Sequence, residues 1–284
     1  MTAGDVPGVI RGPFAIDGHV HFYDCFDPER FLETALANLH SVGITNPPDP
    51  GVGCLFLTER PQDHWFRRWQ ENGLPDRTGG WSLQPAADGI TLLAARDGET
   101  RLIIISGRQI ATREGLEVLV VGTRQEFGTR LTFPGALAAA REARGITIVP
   151  WGFGKWSGTR GNLVRALIEA GDQTVFLGDN GGRPRIGGTP ALLALGRARG
   201  YLVLPGSDPL PFASQIRRVG SFGFVLPGNI REDRAGSNLL EQVRALADQP
   251  PVFGRPSPIG SFVITQTRAQ LQKRFRKGAD GPSR

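Results

Sequence analysis

The chain has 284 residues and a formal charge of +6, and its composition is ordinary for a globular protein apart from 39 glycines and 22 prolines. No apolar stretch reaches the roughly 18 residues that a membrane-spanning helix needs, and residues 1–13 lack the apolar core of a signal peptide. We therefore expect a cytoplasmic protein, and the two cysteines, Cys25 and Cys54, exclude a disulfide framework.

The positive charge is concentrated at the C-terminal end. Residues 268–284 contain six basic residues and one aspartate, a net +5, which leaves +1 for the first 267 residues. We predict one domain over residues 1–267, followed by a basic and flexible tail over 268–284. Nucleic acid is expected as a partner only through this tail.

The first half of the chain starts with strands and helices and then becomes rich in β-structure. Its first predicted elements are a strand at 14–22, a helix at 27–43, a strand at 53–59 and a helix near 63–73. Asp27 is the expected N-cap of the first helix, and Pro28 fits its first position. Short β runs divided by turn signals such as Asp97-Gly98 follow, so we predict a small β-rich insertion around 81–107.

In the second half, helices and strands alternate. The predicted helices lie at 134–145, 161–171, 190–200 and 236–248, and the predicted strands at 146–154, 174–180, 201–208 and 221–228. Strands that alternate with helices of about a dozen residues predict βαβ units and a parallel sheet. Seven or eight main strands fit a single, distorted TIM-like (β/α) barrel, with an open doubly wound sheet as the alternative.

Two of the four histidines stand together in "FAIDGHVHFYDCFD", residues 14–27. Because side chains alternate along a strand with a period of two, His19 and His21 point to the same face. Two imidazoles on one face at a strand end can bind a metal ion together. The alternative is a pair of core histidines bonded to the neighbouring backbone.

Other candidate residues follow the predicted strands, where functional groups of such barrels gather. After the second strand come Glu59 and Arg60, and the last candidate is Asp208. Later strand ends carry Lys155, Asp179, Asn180 and Arg183. Lys155 and Arg183 lie in glycine-rich turns, whose backbone N–H groups can approach an anion, and their side chains can bind phosphate or carboxylate. These turns can equally be glycine-bearing loops with surface cations.

Three segments carry a resemblance to a known family. "DGHVHF" (17–22) resembles the opening H-x-H strand of metal-dependent hydrolases with distorted α/β barrels, including the amidohydrolases. "LIIISGRQIATREGLEVLVVG" (102–122) and "YLVLPGSDPLP" (201–211) are similar to two segments of the polymerase and histidinol phosphatase (PHP) family. The resemblance covers most of residues 14–230. It implies a PHP-like barrel in which histidines and carboxylates hold metal ions that activate water against a phosphate ester.

Several ligand positions of that family are substituted in this chain. His19, His21 and Asp208 match, whereas Glu59-Arg60 stands for an Asp-His pair and Gln109 for a glutamate. The resemblance therefore implies a reduced site with one divalent ion, Zn, Mn or Fe, or with none, held by His19, His21 and Asp208. The positive charge of Arg60 opposes a second cation.

These residues predict a metal-dependent hydrolase, foremost a phosphoesterase acting on a small anionic substrate. Asp208 or Glu59 is the expected general base or ligand, and Lys155 a further catalytic group. Lys155, Arg183 and Arg60 would bind the anion, next to Asp179 and Asn180. The alternative is a degenerate, non-catalytic PHP-like barrel that binds a phosphorylated or carboxylated ligand without turnover.

Overall fold

The computed structural model describes residues 8–41, 51–75, 78–184 and 188–256. In these ranges the strands are β1 (Val9–Arg11), β2 (Phe14–Val20), β3 (Gly53–Glu59), β4 (Trp81–Pro85), β5 (Thr91–Arg96), β6 (Glu99–Ala111), β7 (Glu117–Val121), β8 (Ile146–Pro150), β9 (Val175–Asn180), β10 (Val203–Gly206), β11 (Phe222–Leu226), β12 (Asn229–Arg231) and β13 (Val252–Gly254).

The helices of the described residues are α1 (Pro28–His40), α2 (Trp65–Asn72), α3 (Phe133–Glu142), α4 (Gly158–Ala170), α5 (Ala191–Ala198) and α6 (Ala235–Arg244), with short 3-10 helices at Ala213–Arg218 and Glu232–Arg234. Helix α1 begins as the sequence predicts. The Asp27 side chain accepts a hydrogen bond from the Arg30 backbone N–H (2.8 Å), and Pro28 occupies the first turn, where no N–H is needed.

Most strands belong to one mixed sheet. Its neighbours run in the order β10–β9–β8–β7–β6–β3–β2–β11–β13, and the β4–β5 hairpin pairs with β6. Strand β9 is parallel to β8 and β10, and β3 is parallel to β2 and β6, whereas the other pairs in this sheet are antiparallel. The sheet curls into a nearly closed barrel, and β1 and β12 form a separate two-stranded ribbon.

The predicted (β/α) barrel of seven or eight strands is therefore wrong. Strands β4 to β7 follow one another through turns, and β6, β7 and β8 are antiparallel neighbours. The Asp97-Gly98 turn, with φ of +53° and +82°, makes the β5–β6 hairpin that its sequence favours. The predicted insertion at 81–107 is also not separate from the barrel wall, because Leu102–Arg108 of β6 pairs directly with β3.

Apolar side chains pack on both faces of the curled sheet. Alternate residues of the barrel strands form an inner cluster with α6, including Phe14, Ile16 and Phe56. The opposite face carries two outer clusters, one under α1 and α2 and one under α3, α4 and α5. Burial of these faces is the main favourable term for the fold.

Two glycines allow the barrel to close. Strands β2 and β10 are not paired in the sheet, yet a Cβ added at Gly206 would lie 2.3 Å from the His19 backbone nitrogen. A Cβ at Gly18 would lie 2.8 Å from the Pro205 carbonyl oxygen. The Asp208 backbone N–H donates to the His19 carbonyl across this seam (2.9 Å). The close approach of β2 and β10 therefore depends on the missing side chains.

Within the described ranges, no helix combines the length and apolar character needed to cross a bilayer. The predicted basic tail at 268–284 lies outside the described residues.

We expect Gly206→Ala to lower the free energy of unfolding by about 1–3 kcal/mol, because the added methyl group forces β10 away from His19. Gly128→Ala is the matched control, since its added Cβ would have no atom within 4 Å and its φ is not in the left-handed region. Urea denaturation of both variants measures the difference. Equal stabilities would contradict the proposed role of Gly206.

Candidate functional site

A β-bulge in β2 aims the two histidines into the barrel. In the pairing with β3, Asp17 lies opposite Leu55 but Val20 lies opposite Leu57, so β2 contains one extra residue. Before the bulge, Phe14 and Ile16 face the inner cluster. Because one extra residue reverses the alternation, His19 and His21 face the same side as Ile16, and Val20 packs in the outer cluster.

The barrel closure brings His19, His21 and Asp208 together as the sequence predicts. The two Nε2 atoms are 3.0 Å apart, and Oδ1 of Asp208 lies 3.7 Å from His19 Nε2 and 3.5 Å from His21 Nε2. One ligand atom from each residue lies within 4.8 Å of the others, so this group could hold a metal ion. Both imidazoles are buried, and Asp208 is only partly exposed.

The protonation states favour ligand chemistry. Burial, together with the neighbouring His19, lowers the pKa of His21 to about 3, so its imidazole is neutral at pH 7. Burial alone would raise the pKa of Asp208, but the two imidazoles, Lys155 and Asn180 bring it below its usual value. A neutral imidazole and an ionised carboxylate are the forms that bind metals.

The donor set fits a single first-row divalent ion. Two ligand atoms at about 2.0–2.1 Å from a tetrahedral ion lie about 3.4 Å apart, close to the observed separations of 3.0, 3.5 and 3.7 Å. Two facing Nε2 atoms gain only one hydrogen bond from each other, and Nδ1 of His21 is buried without a hydrogen-bond partner among the described residues. Nitrogen and carboxylate ligands suit Zn, Fe or Mn.

Asp17 fixes both sides of the seam. It is fully buried, and its Oδ1 atom accepts hydrogen bonds from the backbone N–H groups of His19 (3.2 Å) and Ser207 (2.8 Å). Its Oδ2 atom accepts from the Gly220 N–H (2.8 Å). Burial raises the pKa of Asp17 to about 6, against the opposing effect of these bonds. One carboxyl group thus ties the first histidine to the residue that precedes Asp208.

Asp208 is held in an uncommon backbone conformation. Its φ is +44°, a left-handed value that few residues other than glycine adopt, although Asp tolerates it better than most. Asn180, at the end of β9, donates a short hydrogen bond from Nδ2 to Oδ2 of Asp208. This bond leaves Oδ1 directed at the two histidines, so Asn180, a predicted site residue, orients the carboxylate.

Three cationic side chains surround the group. Lys155 acts electrostatically on Asp208 and forms an ion pair with Glu117, which also accepts a hydrogen bond from Gln109 (3.3 Å). Arg60 acts on His21. Arg218 donates to the Ser207 carbonyl (3.3 Å) and acts on Asp208. Arg60 and Lys155 are residues that the sequence predicts here, and each is paired with a carboxylate, Asp63 and Glu117 respectively.

Glu59, a predicted catalytic residue, is not part of this group. Its Oε1 atom accepts the Phe66 backbone N–H at the start of α2 (3.0 Å), and Arg108 contacts its Oε2 atom (3.2 Å). The preceding residue, Thr58, donates to the Val20 carbonyl on the other face of β3. Because neighbours along a strand point in opposite directions, the Glu59 carboxylate faces away from Thr58 and toward α2.

Asp179 and Arg183 are likewise bonded to each other and not directed at the metal-ligand group. The guanidinium of Arg183 donates two hydrogen bonds to the Asp179 carboxylate (2.6 and 3.0 Å) and a third to the Gly188 carbonyl (3.2 Å). The predicted role of Arg183 in substrate binding stays a prediction, and these bonds occupy its fork of donors in this structure. Asp179 and Asn180 are neighbours in β9, so their side chains point to opposite faces of the sheet.

Sequence reasoning missed three residues around the group, namely Tyr23, Glu117 and Arg218. Tyr23 could have been found by its closeness in sequence, because it stands two residues after His21. Glu117 begins a strand and Arg218 ends a 3-10 helix, and neither position carries a sequence signal for this site.

Comparisons with known proteins identify a similar fold but no family. No protein-family model matches this sequence, and no curated protein sequence matches it. The crystal structure of PsfC from Pseudomonas syringae PB-5123 is similar, with a TM-score of 0.53 and 16% sequence identity over 92% of this chain and 98% of PsfC. At this identity the likeness shows the fold alone.

The resemblance to the PHP and amidohydrolase families is therefore corrected. It rested on short motifs and on an alternating strand and helix pattern, but the structure has a mixed sheet and is similar to that of PsfC. The part of the resemblance that the structure supports is local: the three matched residues form a group that could hold a metal ion.

The Glu59 contact makes stability depend on pH. Burial raises the pKa of Glu59 to about 7, with the α2 backbone and Arg108 acting in the opposite direction. Because this exceeds the unfolded value, the contribution of Glu59 is full below about pH 4.5 and is lost as pH rises through about 7. Relative to Glu59→Gln, the wild type should lose about 1–3 kcal/mol of unfolding free energy over this range.

Urea denaturation at several pH values measures this difference. Glu71→Gln is the control, because Glu71 is exposed on α2, the helix that Glu59 contacts. A difference between wild type and Glu59→Gln that stays constant with pH would show that the buried carboxyl does not titrate as expected.

Proposed function

We propose that the chain is a metal-dependent hydrolase that cleaves a small phosphate ester at the His19, His21 and Asp208 group. The observation that carries the proposal is the convergence of these three side chains, since residues 19 and 208 are far apart in sequence and yet share one site. A bound divalent ion would supply a Lewis acid and lower the pKa of a water molecule toward neutrality.

The surrounding residues support an anionic substrate. Lys155 and Arg60 both act electrostatically on the ligand group, and beside their partners Glu117 and Asp63 they would contact phosphate oxygens. Asn180 keeps one oxygen of Asp208 directed toward the histidines. Asp17 prevents the seam from opening, so the ligands are positioned before substrate arrives.

The proposal predicts a defined loss on removal of one ligand. His19→Ala should reduce the bound metal from about one equivalent to a small fraction and lower phosphoester turnover by at least about a hundredfold. Elemental analysis and a panel of phosphate esters provide the two readouts. His64→Ala is the control, since His64 lies by Glu126 on the surface and outside the group.

Two outcomes test the proposed hydrolase directly. Unchanged metal content and turnover in His19→Ala would refute the proposal. Removal of the ion from the wild type with a chelator should abolish turnover, and addition of zinc, manganese or iron(II) should restore it and identify the preferred ion.

A second candidate is an anion-binding protein without turnover. It is favoured by the state of the nearby carboxylates, because Glu117 is paired with Lys155 and Glu59 with Arg108, which leaves neither as an obvious general base. A phosphate-dependent rise in the melting temperature with no hydrolysis of any ester in the panel would support this candidate.

A further inference from the structure

Tyr23 lies beside the proposed metal site, and no role follows for it from the ligands alone. Its ring centre is 5.7 Å from that of His21. Asp208, Arg60 and Glu117 all act electrostatically on its hydroxyl group. The ring therefore lies beside one histidine of the ligand group and against Arg60.

The ring of Tyr23 is held firmly. It is 5% exposed, and the Phe26 ring packs edge-on against it at 5.4 Å. The guanidinium of Arg60 lies 4.7 Å from its centre, and Asp63 fixes that guanidinium with two hydrogen bonds (2.6 and 3.0 Å). An aromatic ring fixed on two sides presents its hydroxyl at a defined position.

The hydroxyl group itself makes no hydrogen bond to another described residue, in contrast to Tyr201, whose hydroxyl donates to the Leu167 carbonyl (2.7 Å). Buried tyrosines usually find such a partner. A phenol hydroxyl carries its proton at neutral pH and can donate a hydrogen bond. A fixed donor beside cations and a metal-ligand group fits an oxyanion.

We propose that the Tyr23 hydroxyl donates a hydrogen bond to an oxygen of a phosphate group bound at the His19, His21 and Asp208 site. This inference rests on the proposed function for the metal, and it adds a substrate-binding residue. Tyr23 and Arg60 would then act as one unit, because Asp63 orients the guanidinium that packs on the ring.

The test compares the only two tyrosines of the chain. Inorganic phosphate is titrated into the zinc-loaded, full-length wild type, Tyr23→Phe and Tyr201→Phe, with metal content measured for each. Tyr23→Phe should bind phosphate at least about tenfold more weakly, as expected for a lost bond to a charged group. Its metal content and melting temperature should be unchanged, because its hydroxyl bonds no described residue.

Tyr201→Phe should show the reverse pattern, with a lower melting temperature and unchanged phosphate affinity, because it loses the bond to Leu167. Equal phosphate affinity of wild type and Tyr23→Phe would overturn the inference, even if the wild type hydrolyses esters. No phosphate binding by the zinc-loaded wild type would overturn it too. Tyr23-dependent phosphate binding without any turnover would support it while the proposed hydrolysis fails.

Discussion

The carboxyl group of Asp17 is the contact on which the site depends. It is fully buried and accepts three backbone N–H groups from separate parts of the chain, His19 in β2, Ser207 after β10 and Gly220 before β11. Bonds of this kind are strong only where no water competes, and an unmet acceptor would be costly there. Because the sheet has no strand pairing between β2 and β10, this carboxyl group provides a connection that the backbone ladder does not. The ligand group lies on the seam that it holds.

The seam also explains the local irregularities of the backbone. The bulge after Asp17 turns the histidines inward, the lack of a side chain at Gly206 lets β10 reach His19, and Asp208 takes a left-handed conformation directly beyond it. Each irregularity costs stability that a regular strand would not lose. They occur within a few residues of one another on both sides of the seam. Such clustering is expected where the chain is shaped for a ligand site and not for packing alone.

The sequence predicted the ligand group because its pattern is local on each strand. His19 and His21 stay on one face whether or not a bulge precedes them, and Asp208 follows a strand. Membership of the group also depends on the face of the strand, since Glu59 and Asp179 lie near the ends of β3 and β9 but point to the opposite side from Thr58 and Asn180. The predicted parallel direction of the strands was wrong for a related reason. The alternation of helices and strands predicts parallel neighbours, yet β7 and β8, which flank α3, pair antiparallel. Helical periodicity does not indicate in which direction the following strand runs.

Charge limits what the site can hold. Arg60, Lys155 and Arg218 lie around a group whose only carboxylate is Asp208, and the carboxylates of Glu117 and Asp63 are already paired with Lys155 and Arg60. One divalent ion would therefore be compensated by a single ligand charge, and a second would find no further carboxylate in this group of described residues. A bound anion would supply the negative charge that a second ligand carboxylate would otherwise provide. Under the proposed function, that anion would be the phosphate group of the substrate.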